Sequence, residues 1–213
     1  MILPINQRKK LEEKLRSYRK RFIEYSLLKK IIEKFAPNYK IKKLCARKLV
    51  SPIKKWELYL NLLYEGIVLS TTILAKYGKG KQYMVGWLYL YNQYGYTTQL
   101  ADRMTVYNTS IHGKRIIAWA KFIFQKVRPS FFRWKISKKS KWETYYLMSP
   151  ERALIQLIKD TNGKPEFADD IYNLLQYWTV DKEKLIELSQ KYCSKSVQHL
   201  ITIFLEKWQK SSK

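Results

Sequence analysis

Residues that carry chemistry are scarce in this chain. Of its 213 residues only two are cysteine and two are histidine. Cys45 and Cys193 lie far apart, so the expectation is two reduced, buried thiols rather than a disulfide framework. His112 sits in a Gly-Lys turn and His199 on a helical stretch beside Leu200, and with so few such side chains the sequence spells no metal-ligand cluster. Among its seven glycines there is no G-x-G-x-x-G, no Walker loop and no G-x-S-x-G. Acidic residues number 17, and the adjacent pair Asp169-Asp170 would diverge on a helix, unable to act as a paired acid and base. Neither a cofactor, a metal nor an enzymatic activity is expected. Long apolar runs are missing as well. The longest, Leu58 to Ala75, is broken by Asn61, Glu65 and Gly66, and the opening MILPINQRKK has no apolar signal region. The expectation is a soluble cytoplasmic protein that does not enter a membrane.

What the chain has is positive charge. Lysine and arginine total 42, for a formal charge of +25. Residues 1–65 hold 18 basic against 6 acidic side chains and residues 66–148 hold 14 against 2, whereas residues 149–213 hold 10 against 9. The first two-thirds therefore suits a polyanion, because lysine and arginine displace the counterions condensed on nucleic acid. A hydrophobic fraction of 46% is enough for a core. The nearly neutral last third should pack or meet protein.

Residues 36–60, APNYKIKKLCARKLVSPIKKWELYL, give the charge a geometry. Upstream, Leu11, Leu15, Tyr18 and Phe22 form one apolar stripe of a helix over 6–21. Ser26 is expected to cap a second helix, with Leu27, Leu28, Ile31 and Ile32 inward. Pro37 suits the first turn of a third. There Ile41, Leu44 and Leu49 face a core, while Lys40, Lys43 and Arg47 recur at i, i+3 and i+7 on another face. Ser51-Pro52 ends the helix. Trp56, Leu58 and Leu60 then alternate with Glu57, Tyr59 and Asn61 as a half-buried strand, with Lys54-Lys55 as the turn before it. A helix followed by a basic hairpin is the order of a winged helix-turn-helix. The DNA-facing set is Tyr39, Lys40, Lys42, Lys43, Arg47 and Lys48 on the helix and Lys54 and Lys55 at the hairpin. Arginine reads guanine bidentately and lysine mostly holds phosphate. Arg16, Arg19, Lys20 and Arg21 either add backbone contacts or form a solvated face.

The domain boundary is expected at Glu65-Gly66, giving a DNA-binding domain over 1–65 and a mixed α/β domain over 66–213. In the second, residues 83–94 read as an aromatic-rich helix ended by Gly95. Strands are expected at Met104–Thr109 and Ile116–Val127, joined through His112-Gly113-Lys114. Lys126 to Lys141 mixes basic residues, Arg133 and Lys135 among them, with Phe131, Phe132 and Trp134. Such a stretch either stacks on single-stranded nucleic acid or RNA, or keeps its aromatics in the core and its lysines in water. Trp142–Leu147 reads as one more strand. Ser149, Pro150 and Glu151 open a helix broken at Asn162-Gly163, and helices at 166–178, 181–193 and 196–209 complete the chain. Glu151 and Arg152 read as dipole and salt-bridge residues. The fold class expected is α+β.

Three segments in this order, GWLYLYNQYGYTTQLADRMTVYNTS, HGKRIIAWAKFIF and YYLMSPERALIQLI, resemble the central pattern of the AbiEi-family antitoxins, the regulator halves of type IV toxin–antitoxin modules. The resemblance covers about residues 25–210, with Gly95-Tyr96-Thr97-Thr98-Gln99 and Ser149-Pro150-Glu151-Arg152-Ala153-Leu154 as its most specific pieces. It implies an N-terminal winged helix that binds inverted repeats in double-stranded promoter DNA and represses its own operon. It also implies a C-terminal domain that neutralises a cognate nucleotidyltransferase-type toxin without a stable complex. The hairpin departs from the family, with Lys54-Lys55-Trp56-Glu57 where Gly-Xaa-Tyr is common. A stand-alone regulator on the same scaffold, or an RNA-binding protein using residues 126–141, fits the residues too.

Overall fold

The structure is a computed structural model and describes residues 5–18, 20–64, 68–86, 88–94, 101–139, 143–160 and 180–211. It is of mixed α+β class, with two sheets, and divides into two compact units: residues 1–79 with 116–120, and residues 80–115 with 121–213. The expected boundary at Glu65-Gly66 lies outside the described residues; the division along the chain falls after Lys79.

In the first unit, α1 (Ile5–Ser17), β1 (Phe22–Glu24), α2 (Tyr25–Phe35), α3 (Ile41–Ala46), β2 (Val50–Lys54), β3 (Leu58–Asn61) and α4 (Ser70–Gly78) follow one another. The strands form an antiparallel sheet in the order β1-β3-β2, with Tyr59 opposite both Ile23 and Pro52. Pro52 is tolerated because β2 is an edge strand. Leu11 and Leu15 of α1, Leu28, Ile31 and Ile32 of α2, and Leu44 of α3 close on Ile23, Val50 and Tyr59 as one core. The apolar spacing of the first two helices dictates this burial. Asn61 is a buried polar residue with full use: its Nδ2 donates to the Leu15 carbonyl at 2.8 Å and its Oδ1 accepts from Leu63 N–H at 3.2 Å. The end of β3 is thereby tied to α1.

Several local expectations change. α2 begins at Tyr25 with Glu24 as its N-cap, so Ser26 lies inside the first turn and does not cap it. Pro37 sits in a turn and α3 starts only at Ile41. Tyr59 and Asn61, expected on the outer face of their strand, are buried, and Trp56 is exposed.

The second unit holds a six-stranded sheet ordered β6-β7-β5-β4-β9-β8, except for residues 116–120, the end of β6 and the turn into β7, which fall in the first. Its elements are β4 (Tyr83–Gly86), α5 (Leu88–Gln93), β5 (Met104–Asn108), β6 (Gly113–Ile117), β7 (Ala120–Lys126), a 3-10 turn at Pro129–Phe132, β8 (Lys135–Lys139) and β9 (Thr144–Met148). Three helices follow, α6 (Pro150–Asp160), α7 (Lys182–Tyr192) and α8 (Lys195–Ser211), each packed on the others. The sheet is mixed: β4–β5 and β8–β9 pair antiparallel, β4–β9 and β5–β7 parallel. Residues 83–94, read as one helix, are a strand and then a short helix. At Tyr83–Gly86 the strand is held by pairing with β5 and β9, and Gly86 leaves room for the Tyr107 ring where a Cβ would collide. The single expected strand over 116–127 is a hairpin, turned at Ala118-Trp119, with Ala118 at φ 58°. Ser149 opens α6, its Oγ accepting from Arg152 N–H at 3.3 Å. Gly95, the GYTTQ segment 95–99, Trp142, Asn162-Gly163 and the helix expected at 166–178 lie outside the described residues. No helix among the described residues is long and apolar enough to cross a membrane.

Candidate nucleic-acid interface

The α3 segment is held by both of its ends. Leu44 is fully buried, and Ile41 and Cys45 are half-buried against the same core. At the C-terminal end Arg47 is the cap, Lys48 N–H donates to the Cys45 carbonyl at 3.0 Å, and Leu49 N–H donates to the Leu44 carbonyl at 3.0 Å. This pair of bonds is a Schellman motif, and its usual apolar contact is made by Leu49 joining the core. Leu49, expected inside the helix, reaches the core from just beyond it. The motif needs a left-handed residue at the position of Lys48, whose φ is 55°. Glycine is the ordinary occupant there, and a lysine costs about 1 kcal/mol more.

Pinned in this way, the segment leaves Lys40, Lys42, Lys43, Arg47 and Lys48 exposed. Tyr39 does not join them. It is 6% exposed and belongs to the core, a correction to its expected place at the interface. Its ring is instead a platform: the Lys43 ammonium and the Arg47 guanidinium each lie 5.9 Å from its centre. Burial pushes the Cys45 thiol pKa up, so this thiol stays protonated and unreactive at neutral pH.

The β2–β3 hairpin turns through Lys54-Lys55-Trp56-Glu57, closed by Glu57 N–H donating to the Lys54 carbonyl at 3.1 Å. Trp56 has φ 65°, as the third residue of a type II turn requires. Glycine or asparagine is usual at such a position, yet here a tryptophan stands 61% exposed, edge-on to Tyr25 at 5.2 Å. Lys55 is exposed at the tip, its ammonium 5.6 Å from the Trp56 ring centre. Lys54 differs. It ends β2 rather than occupying the tip, and its Nζ lies 3.5 Å from the Glu57 carboxylate and donates to the Lys79 carbonyl at 3.4 Å. Its charge is already engaged within the unit.

Of the further basic residues, Arg16 and Lys20 are exposed, and Arg19 lies outside the described residues. The Arg21 guanidinium is half-buried over the Tyr64 ring at 5.1 Å. In the second unit the Lys135 ammonium lies 4.5 Å over the Tyr146 ring, and Arg133 donates to the Tyr192 hydroxyl at 3.3 Å, holding that phenol's pKa down. The Phe131 and Phe132 rings are packed within the unit, at 4.7 Å from Tyr107 and buried, respectively. Glu151, read as a dipole residue, is buried with its carboxylate 3.3 Å from Lys184. Among the described residues no three of histidine, cysteine and carboxylate side chains gather as a metal site, and both cysteines are free.

No protein-family model matches the chain, and no curated protein does. Its fold is similar to that of the RV2827C protein from Mycobacterium tuberculosis, solved by crystallography, with a TM-score of 0.61 and 12% identity over 97% of this chain and 78% of that one. At that identity the likeness is one of fold alone.

Proposed function

We propose that this chain is a sequence-specific DNA-binding transcriptional regulator whose first unit is a winged helix-turn-helix. The observation that carries the reading is the element order α1-β1-α2-α3-β2-β3, in which α3 keeps Leu44 in the core and presents Lys42, Lys43, Arg47 and Lys48 to solvent. α3 enters the major groove, with Arg47 reading a guanine edge and the lysines holding phosphates, and the hairpin tip at Lys55 lies along the backbone. Two backbone positions that ordinarily hold glycine carry Lys48 and Trp56 instead, one at each end of this surface. Side chains kept where glycine would be less strained support a surface selected for contact. By occupying promoter DNA the protein represses its own operon.

The resemblance to AbiEi antitoxins adds neutralisation of a cognate nucleotidyltransferase-type toxin by the second unit. That part stands on the resemblance, since Ser149 and Glu151 of its SPERAL segment serve the helix cap and a buried ion pair. Reading residues 126–141 as a single-strand platform is less favoured, because Phe131 and Phe132 are spent on packing.

Selection of duplexes from a random library by the full chain at about 150 mM salt tests the proposal. An enriched inverted repeat is the expected result. A library that stays unenriched while the protein still retains DNA refutes sequence-specific regulation.

A further inference from the structure

The second unit holds a cationic cavity for which the DNA-binding reading has no use. It measures about 580 Å³ and opens among the end of β7, the Pro129–Phe132 turn, α6 and the last residue of α7. Arg152, Gln156 and Lys159 line it at i, i+4 and i+7, so one face of α6 forms its wall. Lys126, Arg128 and Arg133 add three more cations, and none of the described residues lining it is acidic.

Arg152 is the unusual member. It is only 9% exposed, and its guanidinium lies 4.8 Å over the Phe131 ring, which itself packs on Tyr107. That contact holds the guanidinium against the ring. Its Nη1 is buried and has no hydrogen-bond partner. The neighbouring Glu151 carboxylate is committed to Lys184. A buried cation with an open donor and, among the described residues, no counter-charge is costly, and an arriving anion removes that cost. Burial depresses the Arg152 pKa.

We infer that this cavity binds a nucleoside phosphate, with a phosphate group on Arg152. The planar fork of a guanidinium matches phosphate oxygens, and the remaining cations of the rim suit a ligand with more than one negative charge. The volume is too large for inorganic phosphate alone and lies in the range of pockets for nucleotide-sized ligands. Trp134 supplies a flat ring in the wall for a base; the Tyr192 ring, also in the wall, is already engaged by the Arg133 guanidinium at 5.6 Å. A free nucleotide fits better than a strand, since Phe132 is buried and Phe131 is covered by Arg152, leaving no row of rings for successive bases. The inference does not depend on the DNA-binding reading.

Calorimetric titration of the full chain with ATP, GTP, CTP and UTP, with the unphosphorylated nucleosides and with a ten-nucleotide RNA tests it. Saturable one-to-one binding of at least one nucleotide is expected, roughly 100-fold tighter than its nucleoside. Arg152→Met should weaken that binding by about tenfold or more. Because Arg152 is buried, Arg128→Ser at the exposed rim is the companion variant, with an expected loss of roughly threefold to tenfold and an unchanged circular dichroism spectrum. Absence of saturable nucleotide binding at about 5 mM, which is weaker than useful affinity, overturns the inference. So does equal affinity for the nucleosides, wild-type affinity in Arg128→Ser, or binding of the RNA without any free nucleotide.

Discussion

The Arg47 guanidinium stands 5.9 Å from the centre of the buried Tyr39 ring, and the Lys43 ammonium stands at the same distance. Two cations of the candidate interface thus rest on one core side chain. Tyr39 also carries a hydroxyl that is buried without a hydrogen-bond partner. Tyr39→Phe should therefore be neutral or slightly stabilising and leave DNA affinity unchanged, because it removes an unsatisfied polar atom and keeps the ring. Tyr39→Ala should cost about 3–5 kcal/mol, comparable to other large aromatic truncations in cores. Urea unfolding of both variants, with DNA titration of Tyr39→Phe, checks this; weaker DNA binding by Tyr39→Phe would return the hydroxyl to the interface.

Lys48 separates stability from binding. Its φ of 55° favours glycine, so Lys48→Gly should raise stability by roughly 0.5–1 kcal/mol. The same change removes a cation from the surface, so DNA affinity should fall and the salt slope should flatten by about one unit. Thermal melts and a salt series on one protein preparation measure both. A variant that is more stable and binds equally well would make Lys48 a cap residue alone.

The two hairpin lysines should behave differently. Lys55 is exposed at the tip, whereas Lys54 is held by Glu57 and the Lys79 carbonyl. Lys55→Ala should weaken binding to all duplexes alike and reduce the salt slope by about one unit. Lys54→Ala should leave the slope nearly unchanged. Both lysines are expected at the tip on sequence grounds; equal slopes in the two variants would favour that simpler arrangement.

Burial raises the phenol pKa values of four tyrosines in the second unit, Tyr145 among them, Tyr89 to about 12 and Tyr83 and Tyr94 further. Tyr94 is also held by its hydroxyl, which donates to the Met148 carbonyl at 2.7 Å. An unfolded chain ionises its phenols near the ordinary value of about 10, so the folded state binds more protons above that pH. The stabilisation from these groups is present in full below pH ~10 and is lost as pH rises through their raised folded values. Phenolate absorbance followed from about pH 9 to 12 beside circular dichroism should show a late fraction ionising together with unfolding. Smooth ionisation of every tyrosine in a still-folded chain would contradict the burial.

The apolar faces of α1 and α2 are legible in the sequence because short-range periodicity decides them. Leu11 and Leu15, and Leu28 with Ile31 and Ile32, face the core as their spacing requires. The exposure of Lys40, Lys43 and Arg47 is what the i, i+3, i+7 spacing predicts, whereas Lys48 is exposed from beyond the α3 C-cap. Tyr39 precedes α3, where helical spacing says nothing about direction. The second unit was harder to read. YMVGWLYLYNQY is apolar at almost every position, so periodicity cannot tell strand from helix, and the pairing with β5 and β9 that decides it is long-range. The turn at Ala118-Trp119 carries none of the usual turn residues, because Ala118 takes the left-handed conformation that glycine or asparagine would advertise. In sequence Arg152 reads as a salt-bridge residue beside Glu151; only tertiary packing separates them, giving Glu151 to Lys184 and leaving Arg152 on Phe131.

The most direct measurement is equilibrium binding of the full chain to the duplex upstream of its own coding sequence, against a scrambled duplex of equal length, across a salt series. Specific recognition by α3 predicts a preference of about 10³ or more that persists at ~150 mM salt, and its loss in Arg47→Ala. Equal binding to both duplexes, fading together as salt rises, would contradict the account and reduce the charge of the first unit to a non-specific electrostatic footprint.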